Sequence, residues 1–187
     1  MTTFALTRPS LEALPSYEAA LNRGWSPDNI RGPVAAAEQL ARIADDPAAF
    51  VHGLEDLEAR GGPICLPDGG KAERLPGFVR WMWDGEFCGS VGFRWRPGTA
   101  ELPPHVLGHA GYAVPPWKRG HRYATRALGL LLPEVRALGL PWIDLTTELD
   151  NIPSQQVILS NGGRLLGRFT KPAAYGGGEG LRFRIDL

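Results

Sequence analysis

Between Val114 and Ala127 the chain reads Val-Pro-Pro-Trp-Lys-Arg-Gly-His-Arg-Tyr-Ala-Thr-Arg-Ala. An apolar, strand-like run over Ala110–Val114 breaks at Pro115-Pro116, turns through a basic segment containing Gly120, and opens into a helical pattern. A turn that delivers its backbone N–H groups to a helix N-terminus binds anions, because the orphan amides and the helix dipole both favour negative charge. Lys118, Arg119 and Arg122 add side-chain charge at the same place, and Thr125 can cap the helix or bond an oxygen of the ligand. The chemistry is that of a pyrophosphate cradle. Its plain rival is a solvated, basic helix start.

A second segment shares the pattern of a known family. Val114 and Pro116 fill V-x-P, and Arg119 and Ala124 fill the ends of [Q/R]-x-x-G-x-[G/A], with Arg122 standing where the middle glycine belongs. Downstream, Asp150-Asn151-Ile152-Pro153-Ser154 leads through a helical stretch to Gly162-Gly163, a segment that resembles D-x-x-N-x-x-[S/A] followed by a glycine stop. In that order and spacing the chain resembles the GNAT N-acetyltransferase superfamily over Glu86 to Phe169. Arg122 keeps its amide available if its φ stays negative, and its guanidinium can pair with a phosphate.

The resemblance implies an α+β fold: a mixed, mostly antiparallel central sheet flanked by helices, with splayed parallel strands at a cofactor cleft. It implies acetyl-CoA as acyl donor, with the amides of Gly120, His121, Arg122, Tyr123 and Ala124 on the pyrophosphate. The strand edge at Tyr112 and Val114 would carry the pantetheine and polarise the thioester. His121 and Tyr123 flank the phosphates or the adenine, or face solvent. Asn151 bonds the pantetheine amides or simply makes a turn, and Ser154 caps the next helix. The implied activity is acetyl transfer to an amine of a small molecule or a protein. The alternative is a catalytically silent CoA-binding regulatory domain, favoured by Arg122 and by Ile158, which stands where many relatives carry a general-acid tyrosine. In an active enzyme without that tyrosine, water, Ser160 or Tyr112 protonates the leaving thiolate, or its protonation is not assisted.

His109 is the candidate base, on the strand that ends at the cradle and with an ordinary pKa near ~6.5. Strict alternation puts it on the opposite face from Val114, so only a β-bulge would bring it round, and a core histidine is the competing reading. His105 and His109 lack a third ligand nearby, so no metal is expected. Gly176–Gly180 precedes a strand instead of opening a helix, which excludes a dinucleotide fingerprint and suggests a loop near the acceptor. Trp81, Trp83, Trp95 and Trp117 line an aromatic pocket or pack a sheet.

Composition frames these sites. The 187 residues are 43% hydrophobic and 21% charged, which suits one folded domain over 1–187 and excludes global disorder. Lys+Arg and Asp+Glu both number 20, so nucleic acid is not an expected partner. Two cysteines make no disulfide framework, and neither a leader nor a membrane-length apolar run stands out. A cytoplasmic protein is expected, without membrane partners, and a homodimer is left open.

The elements that must position the site follow from pattern. A strand over Phe4–Arg8 precedes a helix over Leu11–Asn22 capped by Ser10; further helices cover Val34–Ala44 and run from Asp46-Pro47 towards Leu57. After a glycine- and proline-rich loop with a short strand at Ile64–Leu66, strands over Phe78–Trp83 and Phe87–Trp95 join through an Asp84-Gly85 hairpin. A strand over Leu107–Val114 leads to the cradle. The stripe Ala124, Ala127, Leu128, Leu131, Val135 and Leu138 marks a helix kinked at Pro133 and ended by Gly139. Strands over Trp142–Thr147 and Leu181–Ile185 follow, the last at an edge or in a hairpin.

Overall fold

Alternating apolar positions and the tight turn at Asp84 fold Gly77–Trp83 and Phe87–Arg94 into the longest hairpin of the first sheet. In the computed structural model, which describes residues 3–187, the elements run β1 (Ala5–Thr7), α1 (Leu14–Asn22), α2 (Pro33–Asp45), α3 (Pro47–His52), β2 (Glu55–Asp56), β3 (Ile64–Cys65), β4 (Lys71–Ala72), β5 (Gly77–Trp83) and β6 (Phe87–Arg94). Then come β7 (Ala110–Ala113), α4 (Tyr123–Arg136), β8 (Trp142–Glu148), α5 (Ile152–Leu159), β9 (Arg164–Thr170) and β10 (Glu179–Asp186). The reading of the chain's opening as leaderless falls partly on Met1 and Thr2, which lie outside the described residues.

One sheet is ordered β1-β5-β6-β7, with β2 also on β5; a second is ordered β8-β10-β9. Helix α4 fills the space between them. Ala127, Leu128, Leu131 and Val135 are fully buried against Val91, Phe93, Ile143, Leu145, Phe183 and Ile185. Burying such side chains stabilises by roughly 1.5–3 kcal/mol each before chain entropy is counted. On the other face of β5 and β6, α1–α3 build a second core, where Tyr17 stacks on Trp81 with centroids 4.8 Å apart. All four tryptophans named above pack in or against one of these cores.

Several expectations are corrected. α1 begins at Leu14, with Pro15 in its first turn, and the Ser10 hydroxyl only accepts the Ala13 N–H at 3.2 Å. α3, which restarts at Asp46-Pro47 as expected and is capped by the Asp46 side chain, stops at His52, so that Glu55–Asp56 can pair with β5. The β5–β6 register slips between Met82 and Trp83, which makes Cys88 a bulge and the turn longer than two residues. β7 is only four residues long. Before it, Gly108 lies so close to β8 that a Cβ would stand 3.0 Å from the Asp144 carbonyl oxygen. Of the two readings of the last strand the hairpin holds: β10 pairs antiparallel with the unforeseen β9 just before it, which makes β10 a central strand and not an edge. As expected, α4 does not stop at Pro133. Among the described residues no helix is long and apolar enough to cross a membrane.

Candidate active site

The cradle is assembled by the turn between β7 and α4. Six consecutive backbone N–H groups, from Gly120 to Thr125, have no protein acceptor among the described residues. Gly120 (φ 83°) and Arg122 (φ 58°) both take left-handed conformations, which curl the amides into a concavity. Arg122 therefore does not keep the negative φ expected of it. It adopts the conformation a glycine would hold there and caps α4 without a side-chain bond. A non-glycine residue in this region costs about 1–2 kcal/mol, so Arg122→Gly should raise the unfolding free energy by about 1 kcal/mol after the glycine's added chain entropy. Acetyl-CoA affinity should stay within about tenfold. Urea unfolding and a binding titration check both; a less stable variant means that the arginine side chain, not its backbone, is needed.

The side chains of the turn divide. Arg119, His121 and Arg122 are exposed beside the amides, with Arg119 Nε donating to the Val114 carbonyl at 3.3 Å. Lys118 is turned away: its Nζ pairs with Asp84 at 3.2 Å and Glu86 at 2.7 Å, so its charge belongs to the β5–β6 turn. Tyr123 also bonds Asp84 through its hydroxyl, and its ring is stacked between Phe4 and His121. Ala124 and Thr125 present their amides from the first turn of α4.

Beside the cradle, β7 and β8 meet and then part. The His109 N–H donates to the Asp144 carbonyl at 2.7 Å, and no ladder joins the strands beyond that point. On the other side of β7, Arg94 N–H donates to the His109 carbonyl at 2.9 Å. Counting on from that bond along the regular β6–β7 register, the backbone N–H groups of Tyr112 and Val114 point away from β6 and into the gap. The Tyr112 side chain spans the gap: its hydroxyl donates to the Ser154 carbonyl at 3.1 Å and lies 2.7 Å from the Ser154 hydroxyl. Burial pushes that phenol up to about 12. Asn151, not Ser154, caps α5, its Oδ1 accepting the Ser154 N–H at 3.2 Å. Pro153 in the first turn fixes the helix start one step after Asn151, and the Asn151 amide N–H₂ has no protein acceptor among the described residues.

A cavity of about 390 Å³ opens on the face of the sheet covered by α1 and α2. Its floor includes Ser90, Gly92 and Gly111, and Tyr112 reaches its edge; Arg42, Arg74 and Arg94 stand in its walls.

Against known protein families, the model of the acetyltransferase (GNAT) family matches residues 37–162, about two-thirds of the chain. This chain belongs to the GNAT acetyltransferase family. Solved structures share its fold. The microcin C7 self-immunity acetyltransferase MccE, in complex with acetyl-CoA and AMP, is 12% identical, with a TM-score of 0.64 over 98% of this chain and 92% of that one. RimL, a ribosomal L7/L12 alpha-N-protein acetyltransferase in complex with coenzyme A, is 14% identical, with a TM-score of 0.61 over 100% and 96%. The ribosomal-protein-S5-alanine acetyltransferase from Vibrio fischeri is 17% identical, with a TM-score of 0.54 over 98% and 91%. No curated protein sequence matches the chain. As a GNAT member the protein is an N-acetyltransferase that takes its acetyl group from acetyl-CoA.

Within the GNAT frame, His109 is not presented to the cleft. It is 0% exposed, stacks on Phe93, and meets Trp142 edge-on. No bulge interrupts β7. Its Nδ1 accepts the Asp144 N–H at 2.9 Å, so in the neutral ring the proton lies on Nε2, which has no partner. Desolvation pulls its pKa down to about 4. Ile158, at the family's tyrosine position, is core. Ser160 follows the last turn of α5, at the opposite end from the Tyr112 contact. Among the described residues no group of three or more His, Cys, Asp or Glu is placed to hold a metal.

Sequence reasoning missed the cavity. Gly92 and Gly111 are direct cross-strand partners, and together they bare one patch of sheet. Only the register, not either glycine alone, reveals that. Arg42 and Arg94 come from α2 and β6, far apart in the chain, and carry no local signal.

Proposed function

We propose that this enzyme acetylates the amine of a small molecule held in the 390 Å³ cavity, with acetyl-CoA entering from the cradle side of β7. The observation that carries this reading is the row of six unpartnered amides from Gly120 to Thr125, on the turn that follows β7, whose Gly111 and Tyr112 line the cavity. A volume of this size suits a small ligand. The free amides, with Arg119 and Arg122 next to them, fit a pyrophosphate. The free Asn151 amide and the outward N–H of Val114 fit the pantetheine.

Acetyl-CoA supplies a thioester whose carbonyl carbon bonds to the amine nitrogen as its bond to sulfur breaks. The Tyr112 backbone N–H donates to the carbonyl oxygen as negative charge develops there. The Tyr112 hydroxyl turns its single proton from the Ser154 carbonyl to the departing sulfur while the Ser154 hydroxyl donates to its oxygen, and the proton the sulfur gains is replaced from the water that takes up the proton lost by the amine. Asp56, the cavity's carboxylate, is a poor base: it accepts the Arg60 and Gly61 N–H groups at 2.8 and 2.9 Å. The neutral amine is therefore drawn from solution, and most of the rate enhancement comes from holding amine and thioester together. His109 acts as a structural joint between β7 and β8.

Arg122 keeps the glycine backbone conformation, which removes one of the two features favouring a silent CoA-binding domain. The test is thermal. Acetyl-CoA should raise the melting temperature, and acetyl-pantetheine, lacking the pyrophosphate and nucleotide, should raise it far less, because only ligands of the native state stabilise it. Equal shifts, or none, overturn the cradle. A shift without thiol release across an amine panel supports the silent domain.

A further inference from the structure

The cavity has a charge that nothing in the fold uses. Three arginines stand in its walls. Arg74 is committed: its Nε donates to the Gly62 carbonyl at 2.8 Å and lies 3.9 Å from Asp56, which is itself satisfied by two backbone N–H groups. Arg42 and Arg94 are not. Among the described residues neither has a carboxylate within ion-pair distance or a side-chain hydrogen bond. Arg42 lies with its guanidinium 5.4 Å from the Phe50 ring centre. Arg94 is open to the cavity's water but ringed by protein, and that desolvation pulls its pKa below the ordinary arginine value; Tyr175 and Asp28 act in the opposite direction.

Their placement is specific. Arg94, Gly92 and Ser90 alternate onto one face of β6, and Gly92 faces Gly111 across the pair. A Cβ on Gly111 would stand 3.4 Å from an Arg94 guanidinium nitrogen, whereas one on Gly92 would meet nothing closer than 3.9 Å. Neither glycine has a left-handed φ. Conformation does not demand them, and what their missing side chains create is room. The Arg94 guanidinium thus lies beside Gly111, one residue before the Tyr112 N–H at the acyl carbonyl. Two guanidiniums with unfilled donors, over a bare floor, make a fork for a planar or tetrahedral anion.

We propose that Arg42 and Arg94 form an anion subsite that selects small acceptors carrying a carboxylate or phosphate close to the reacting amine. One to two residues of strand separate the guanidinium from the transfer point, so the anion and the nitrogen sit about 4–7 Å apart. That spacing fits a short amino acid or an amino-alkyl phosphate. The proposal rests on the small-molecule acetyltransferase reading above.

Matched amines test it. With acetyl-CoA, thiol release is followed for β-alanine against propylamine and for phosphoethanolamine against ethanolamine; the two pairs distinguish carboxylate from phosphate. The anionic member of at least one pair should show kcat/KM about tenfold higher or more, through KM. Arg94→Met and Arg42→Met should each remove about tenfold of that preference, Arg94→Lys should retain part of it, and the acetyl-CoA melting shift should be unchanged in all three. Neutral members used as well as the anionic ones, or a preference that survives both Met variants, overturns the subsite. Turnover confined to peptides with an acidic N-terminus overturns the small-molecule acceptor. If no amine turns over, the small-molecule acceptor reading fails by itself, and the subsite is judged by binding: in the presence of CoA, N-acetyl-β-alanine or N-acetylphosphoethanolamine should raise the melting temperature where N-acetylpropylamine does not. Equal shifts overturn it.

Discussion

Tyr112→Phe should lower kcat about 100-fold while leaving the acetyl-CoA melting shift intact. The hydroxyl crosses the gap between β7 and α5, held by Ser154 at 2.7 and 3.1 Å. A preorganised donor aimed at developing charge in a water-poor site contributes on the order of 10²-fold or more. With its titration pushed up to about 12, the phenol stays protonated throughout the working range. The departing sulfur, desolvated in the same gap, also holds its proton more tightly than a thiol in water. Tyr112 should therefore impose no basic limb on kcat below about pH 10. Phenylalanine keeps the ring, the strand and the backbone N–H at the carbonyl oxygen, so a loss of kcat with little change in KM isolates the hydroxyl. A variant with kcat within twofold of wild type would leave Tyr112 as a bridge between β7 and α5 and nothing more.

Much of this site is visible in the chain because its parts are local. A strand, a Pro-Pro break, a glycine and a helix stripe occur in sequence over Ala110–Val135, and the cradle needs no distant partner. What is lost is whatever depends on competition. Lys118 looks like a phosphate ligand until Asp84 and Glu86, on the β5–β6 turn, claim it. Asn151 and Ser154 are both good caps, and Pro153 decides between them. β9 escapes notice because its residues are mostly exposed: with Leu165 and Leu166 adjacent and both largely in solvent, no burial enforces an alternating pattern. Once β9 pairs with β10, the last strand becomes central. The cavity is the extreme case, since its floor depends on Gly92 and Gly111 being in register and its walls on Arg42 of α2 and Arg94 of β6 coming together.

His109 has a different consequence, and it appears in stability. Between pH 6.5 and 4 the protein should lose up to about 3 kcal/mol of unfolding free energy to this one side chain. In the folded chain His109 is enclosed, and desolvation lowers its pKa to about 4; in the unfolded chain it titrates near ~6.5. Within that window the unfolded state binds the extra proton and the native state does not, so stability is complete above about pH 6.5 and falls as pH drops towards 4, by at most about 1.4 kcal/mol per pH unit. The cause is geometric as well as dielectric. Protonation would place a hydrogen on Nδ1, which accepts the Asp144 N–H at 2.9 Å, and would set two donors against each other where β7 joins β8. Urea unfolding at intervals from pH 7.5 to 4.5, on wild type and His109→Gln, separates this group from the carboxylates, which titrate lower. The variant should be less stable at pH 7.5 because it disturbs a packed joint, yet flatter across the window because it has no proton to take up. Identical slopes in the two proteins overturn the structural role. So does an acid limb of kcat/KM that disappears in His109→Gln while stability holds, since that result returns His109 to catalysis as the base.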